Sequence, residues 1–353
     1  MRLHPLLDDP QAVALYHTPV TDPVSWDDFR RAGPEVLAAL RLELDPGERP
    51  VLKPNVTAGE MQPGPDTGIT THPGFVEGLI EHLLAHGARR GEVYVVEDPH
   101  STRGDERRTW VNTGYPAVAE RTGCQLREPL GFNCVRLRVP NPRVHRWIPV
   151  QKLFVAPGSV MINVPKMKTH NLAICTLCLK NLQGAIGNRD RSYCSQAWQE
   201  TPHAWRYETR PRGEWMTRAI HETWQQRHSM RLADAAQVIV PALNIVEGIV
   251  GRDGTAFGEG RNYPTGLSVA GRNMVAVDTV AAYLMGFDPR RLVFLRVASE
   301  AGLGTNDLRS IKVYVARDGD LSQCEDLASY RARPPFRVIT RAMGEDQDPD
   351  YAR

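Results

Sequence analysis

Apolar and polar residues alternate in ways that predict strands and helices in turn. Residues 24–42 show helical periodicity, with Ser25 as cap and Asp28 three residues on. Pro50-Val51-Leu52-Lys53 is a short apolar strand that runs into Pro54-Asn55 and a Gly/Pro-rich loop to residue 70. Thr71 can cap a helix over 73–86, where Phe75, Val76, Leu79, Ile80, Leu83 and Leu84 recur at helical spacing and Gly87 ends the run. Val93-Tyr94-Val95-Val96 is a continuous apolar strand of the kind buried in parallel sheets. These pieces form a β-α-β unit, for which a right-handed crossover is expected.

The alternation continues further on. Residues 135–139 read as a half-exposed strand, 153–155 and 160–164 as core strands, and 172–183 as a helix. Strands follow at 242–246, 267–270 and 311–315, with a helix over 273–285 ended by Gly286. The expected fold is α/β, a mostly parallel sheet or sheets with flanking helices, in two lobes around a cleft. The expected boundaries are a helical segment over 1–44, a first lobe over 45–150, a second over 151–330, and an irregular tail over 331–353. Residues 186–230 interrupt the second lobe with Trp198, Trp205, Trp215, Trp224, His203, His221 and His228 and no strand pattern. This excursion reads as a functional lid, a partner-binding surface, or a helical hairpin packing its own tryptophans.

Composition narrows the function classes. The chain has 353 residues and a net charge of +2, from 43 Lys plus Arg against 41 Asp plus Glu. That balance argues against nucleic acid or a membrane as partner and leaves a small molecule, with an oligomer open. No run of 18 apolar residues occurs, and Met1–Pro10 lacks a signal pattern, so the expected compartment is the cytoplasm.

Ligands of open α/β sheets bind outside the carboxyl ends of the strands. The residues there are Lys53 and Asn55, then Glu97, Asp98 and His100, then Lys166, Lys168, Thr169 and His170, then Glu247. Lys53, Lys166, Lys168 and Lys180 supply positive charge for a carboxylate or phosphate, and Asn55, Thr169 and Asn181 supply orienting hydrogen bonds. His170, Glu97, Asp98 and His100 are the catalytic candidates, since imidazoles and carboxylates move protons near neutral pH. Asp98, His100, His170 and Glu247 could equally hold a divalent metal. Cys175, Cys178 and Cys194 could bind zinc or an iron–sulfur cluster, but no second C-x-x-C exists and buried structural thiols are favoured. The glycine-rich run Gly251–Gly260 is either a turn or a place of close backbone approach to a ligand.

The same residues carry a resemblance. Val51-Leu-Lys-Pro-Asn55 followed by Thr71-His-Pro73 resembles the first block of the domain family of unknown function 362. Ile162-Asn-Val-Pro-Lys166-Met-Lys168-Thr-His170 and Cys175-Thr-Leu-Cys-Leu-Lys180-Asn181-Leu-Gln-Gly184 are similar to its central blocks. Ala233-Asp234, Val246-Glu-Gly248, Val275–Ala282, Gly286-Phe-Asp288 and Gly302-Leu-Gly304 resemble the later ones. Many members carry a ferredoxin-like iron–sulfur segment, whose cysteine run is absent here, and the family often has aspartate where Glu247 stands. A fainter similarity, resting on the order of His170 and Lys180, points to the lactate-racemase superfamily. There the lysine that anchors a nickel-pincer cofactor sits in a Ser-Gly-Gly context, whereas here it is Cys178-Leu179-Lys180-Asn181. What this resemblance implies is a cleft between two lobes doing acid–base chemistry. Together these features describe an enzyme of isomerase or lyase type acting on a small anionic metabolite, with a metal-binding redox protein or a partner-binding protein as the alternatives.

Overall fold

Short apolar runs separated by Gly and Pro pair into a sheet, and longer runs with helical period cover its two faces. The computed structural model describes residues 1–57, 64–98, 110–187, 192–201, 218–255, 258–317 and 319–339. Its strands are β1 Ala12–His17, β2 Arg49–Pro54, β3 Tyr94–Val96, β4 Gln125–Arg127, β5 Cys134–Arg138, β6 Trp147–Gln151 and β7 Ser159–Val164, then β8 Lys166–His170, β9 Ile174–Thr176, β10 Leu243–Arg252, β11 Asn262–Tyr263, β12 Leu267–Gly271, β13 Lys312–Arg317 and β14 Asp320–Gln323. The helices are α1 Trp26–Ala39, α2 Pro73–Ala85, α3 Tyr115–Thr122, α4 Cys178–Asn181, α5 Tyr193–Gln199, α6 Arg218–Ala236, α7 Met274–Met285 and α8 Val293–Glu300.

The fold is α/β, as the alternation predicts. Twelve of the described strands share one mixed sheet, whose main path is β14-β13-β1-β12-β10-β7-β2-β3-β4. The block β10-β7-β2-β3-β4 is parallel, and β12 runs antiparallel to both β10 and β1. One core lies on each face. Phe29, Val36, Phe75, Leu79 and Val118 from α1, α2 and α3 fill one. Leu179, Leu232, Val277, Val280 and Phe294 from α4, α6, α7 and α8 fill the other. The helices α1 and α2 cross backbone to backbone: a Cβ on Gly78 would stand 2.1 Å from the Arg30 carbonyl oxygen.

Several expectations change. The boundary near residue 150 divides no sheet, because β2, β3 and β4 pair onward to β7 and β10. The first 44 residues hold not only helix α1 but also β1, which lies between β12 and β13. Residues 153–155 belong to a helical turn rather than a strand. The expected helix over 172–183 breaks into β9 and the short α4, because Lys168-Thr169-His170 pairs with Ile174-Cys175-Thr176 as a hairpin. His72, not Thr71, caps α2, its Nδ1 accepting from the Gly74 N–H at 3.1 Å. The tail over 331–339 has no regular element, yet Phe336 and Val338 are fully buried. Among the described residues no helix is long and apolar enough to cross a membrane.

Candidate active site

The parallel strands deliver a row of polar side chains to one end of the sheet. Lys53 on β2, Asn163 on β7 and Asn244 on β10 stand side by side in register. The amides link up: Asn163 Nδ2 donates to Asn244 Oδ1 at 2.9 Å, and Asn181 Nδ2 donates to Asn163 Oδ1 at 2.8 Å and to the Lys53 carbonyl at 2.9 Å. Helix α4, which carries Asn181, is held at its start by Asp278, whose carboxylate accepts the Cys178 and Leu179 N–H groups at 2.7 and 3.0 Å. Burial nevertheless pushes the Asp278 carboxyl up to about 7.

Two buried ion pairs follow. Lys53 Nζ pairs with Glu97 and also donates to the Pro54 carbonyl at 2.9 Å and Asn181 Oδ1 at 3.3 Å. The backbone of Gly184 closes over this pair: a Cβ there would stand 1.9 Å from Glu97 Oε2 and 2.6 Å from Lys53 Nζ. Gly184→Ala is therefore expected to cost at least about 1–3 kcal/mol by overpacking, read as a fall in the denaturant midpoint at unchanged slope. An unchanged midpoint would show that the turn after α4 yields freely. The second pair, Lys166 Nζ to Glu247 Oε2 at 2.6 Å, lies one element further along. Glu247 also accepts the His72 N–H at 3.2 Å, and its other oxygen is buried with no partner among the described residues. Burial lowers the Lys166 pKa, and the Glu247 charge opposes that shift.

A cleft of about 350 Å³ opens beside the first pair. Asn55, Glu97, Asp98, His170, Lys180 and Asn181 line it together. Loops far apart in sequence thus converge at the carboxyl ends of β2, β3 and β8. His170 Nδ1 accepts from the Leu172 and Ala173 N–H groups at 3.0 and 3.3 Å. Burial first, and then the positive charge of Lys180, hold its pKa well below 6.5. A neutral imidazole whose Nδ1 accepts carries its proton on Nε2, so His170 meets other groups as an N–H donor. Lys180 is half-buried. Lys168 is fully buried, and burial together with Lys180, Lys166 and Arg252 disfavours its charged form.

Other expected residues point elsewhere. The Thr169 hydroxyl donates to the Gly254 carbonyl at 2.9 Å, which assigns it a structural bond. Lys166 and Glu247 face each other away from the cleft lining. His100 lies outside the described residues. Burial raises the thiol pKa of both Cys175 and Cys178. Among the described residues no three His, Cys, Asp or Glu side chains are grouped so that they could hold a metal ion.

Thr57, Asn171, Gln183, Ser192 and Ser195, which sequence reasoning did not single out as site residues, complete the lining with Gly184, Cys194 and Trp224. Trp224 and Cys194 belong to the expected excursion, where Trp198 packs on Trp224 with ring centroids 4.8 Å apart. His203, Trp205 and Trp215 lie outside the described residues. The helix α6 buries a polar stripe, His221, Gln225 and His228, behind the cleft wall. His228 Nε2 lies 3.2 Å from Gln183 Oε1 and 3.5 Å from Cys194 Sγ. That stripe recurs at helical spacing and was visible in the sequence as His221-x-x-x-Gln225-x-x-His228.

A family model described as a domain of unknown function, DUF362, matches residues 51–283. The chain belongs to the DUF362 family. All the cleft residues named above fall inside the DUF362 match. The thylakoid-associated protein sll1697 of Synechocystis is 24% identical over 278 residues, spanning 76% of this DUF362 chain and 73% of that protein. Two solved structures also match in part. One is a Thermotoga maritima protein, with a TM-score of 0.43 and 10% identity over 80% of this chain and 60% of that one. The other is the lactate racemase apoprotein from Thermoanaerobacterium thermosaccharolyticum, with a TM-score of 0.40 and 14% identity over 76% and 56%. This DUF362 chain spans less than two thirds of either solved chain.

Proposed function

We propose that the cleft binds a small anionic metabolite, a carboxylate or phosphate, and carries out acid–base chemistry of the isomerase or lyase type on it. The observation that supports this most is the placing of His170 and Lys180 in one cleft wall, the first as a neutral N–H donor and the second as a cation with no ion-pair partner among the described residues. A lysine ammonium in a partly enclosed cleft attracts an anionic group. The His170 Nε2–H then supplies a fixed dipole for an oxygen on which negative charge develops. This refines the role expected from sequence: with Nδ1 occupied by two backbone donors, His170 gives a hydrogen bond or a proton rather than taking one. The proton acceptor in this reading is Asp98, the half-buried carboxylate of the same lining. Glu97, tied to Lys53, holds the floor of the site. Asn181 and Asn55 orient the ligand, and the buried Asn55 Oδ1 has no partner among the described residues.

The test works with the substrate still unidentified. The protein is incubated in D2O with small 2-hydroxy, 2-amino and 2-oxo carboxylates, and deuterium entering beside the carboxylate is followed by proton NMR. Wild type is expected to exchange at least one acid. His170→Asn and Lys180→Met should slow the exchange by about 10²–10⁴-fold while the thermal midpoint holds. A protein that exchanges none of them, and is stabilised in thermal melts neither by these acids nor by phosphate, does not have this function.

A further inference from the structure

The sequence holds no Asp or Glu between Glu128 and Asp190. Within that interval β5 and β6 form a separate two-stranded ribbon. One face of it joins the core through Val139, Ile148 and Val150. On the other face the register sets Arg138 opposite Trp147 and Arg136 opposite Pro149. Arg136, Arg138, Arg143 and Arg146 are all exposed, and Trp147 is 49% exposed. No ion pair of these four arginines occurs among the described residues. At the base of the ribbon Phe132 is 85% exposed.

The connecting loop is rigidly built. Buried Asp234 accepts the backbone N–H groups of Arg143, Val144 and His145 at 2.7 Å each. Three charge-assisted bonds to consecutive residues fix the loop backbone, so the arginine side chains project from a preset frame. The Asp234 carboxylate is fully buried and leaves their outward charge in place.

We propose that this ribbon docks the protein on an anionic lipid surface. A flat bilayer with anionic headgroups is met by one small basic patch, and indole and phenyl rings settle at the headgroup level. A nucleic acid is gripped along a basic track longer than the four arginines of this one ribbon and its loop. The docking is independent of the chemistry in the cleft. It departs from the expectation set by overall charge, because a balanced total conceals the uneven placing of the acids.

The experiment is flotation of the full chain with vesicles of phosphatidylcholine containing about one-third phosphatidylglycerol, against pure phosphatidylcholine. Wild type is expected to float with the anionic vesicles only, and to be released at high salt. Each arginine near such a surface contributes about fivefold in binding. The variant R136Q/R138Q/R143Q/R146Q, with an unchanged thermal midpoint, should lose at least about 50-fold. W147A should lose severalfold at unchanged salt dependence. Absence of flotation with anionic vesicles overturns the proposal. So does arginine-dependent binding to a DNA duplex or to polyglutamate that exceeds binding to the vesicles.

Discussion

Lys53→Met is expected to lower the unfolding free energy by about 3–5 kcal/mol, because it leaves the Glu97 carboxylate buried without its cation. Lys53 is fully buried and Glu97 nearly so, so water cannot replace the lost partner. The Val56 N–H, at 3.3 Å from Glu97 Oε1, is too weak a substitute. The double variant K53M/E97Q should recover a large share, since it removes both charges and only hydrogen bonds are then short. Guanidinium titrations of wild type and the two variants at neutral pH give both quantities. A loss under about 1 kcal/mol for K53M would mean that the pair is not sealed as the closing backbone of Gly184 requires.

Acidification is expected to unfold the protein between about pH 6.5 and pH 4, well before ordinary carboxylates titrate. The cause is a set of buried neutral imidazoles. Burial lowers His72 and His221 to about 4, and lowers His170 and His228 well below 6.5. For each of these groups the unfolded chain binds a proton in a range where the folded chain does not. Stability therefore rises with pH across that window and is lost as pH falls through it. For His72 and His221, a shift from 6.5 to about 4 corresponds to about 3 kcal/mol apiece, at about 1.4 kcal/mol per unit. Asp278 works the other way. Its pKa near 7 means that the folded state holds a proton which the unfolded state has shed, so falling pH stabilises through it. One carboxyl offsets only part of four imidazoles, and the net sign is loss in acid. Denaturant midpoints at pH 7.5 and 5 measure the slope. His72→Asn keeps an oxygen able to cap α2 and removes the titration, so it should flatten that slope. A midpoint that is constant or rising towards pH 5 would refute the assignment of these histidines as buried and neutral.

Much of the layout was legible in the chain. Period-two and continuous apolar runs located β2, β3, β7, β10 and β12. Helical spacing located α1, α2 and α7, and the Ser25–Asp28 capping box appears as read. Proximity to strand ends picked out Asn55, Glu97, Asp98 and His170, and side-chain chemistry added Lys180 and Asn181; all six share the cleft. These are local properties. Burial of one stripe or one face, and the stop signals of Gly and Pro, act within a few residues and so leave a mark in the sequence.

Partnership left no such mark. Lys53, Lys166 and Lys168 read alike as strand-end cations, yet one is tied to Glu97, one to Glu247, and one is pressed among other positive charges. Lys166 to His170 read as a loop and became β8, because a bulged pairing with β10 and a hairpin with β9 were available to it. The His170 tautomer depends on two N–H groups that only the bend after β8 aims at Nδ1. Such outcomes turn on contacts between residues far apart in sequence, 128 positions for Asn181 and the Lys53 carbonyl and 175 for Glu247 and the His72 N–H. Pairing and desolvation are decided by three-dimensional proximity, whereas periodicity records only which residues avoid water. That is why the chain announced which side chains could do chemistry, and the packed sheet decided which of them face the cleft.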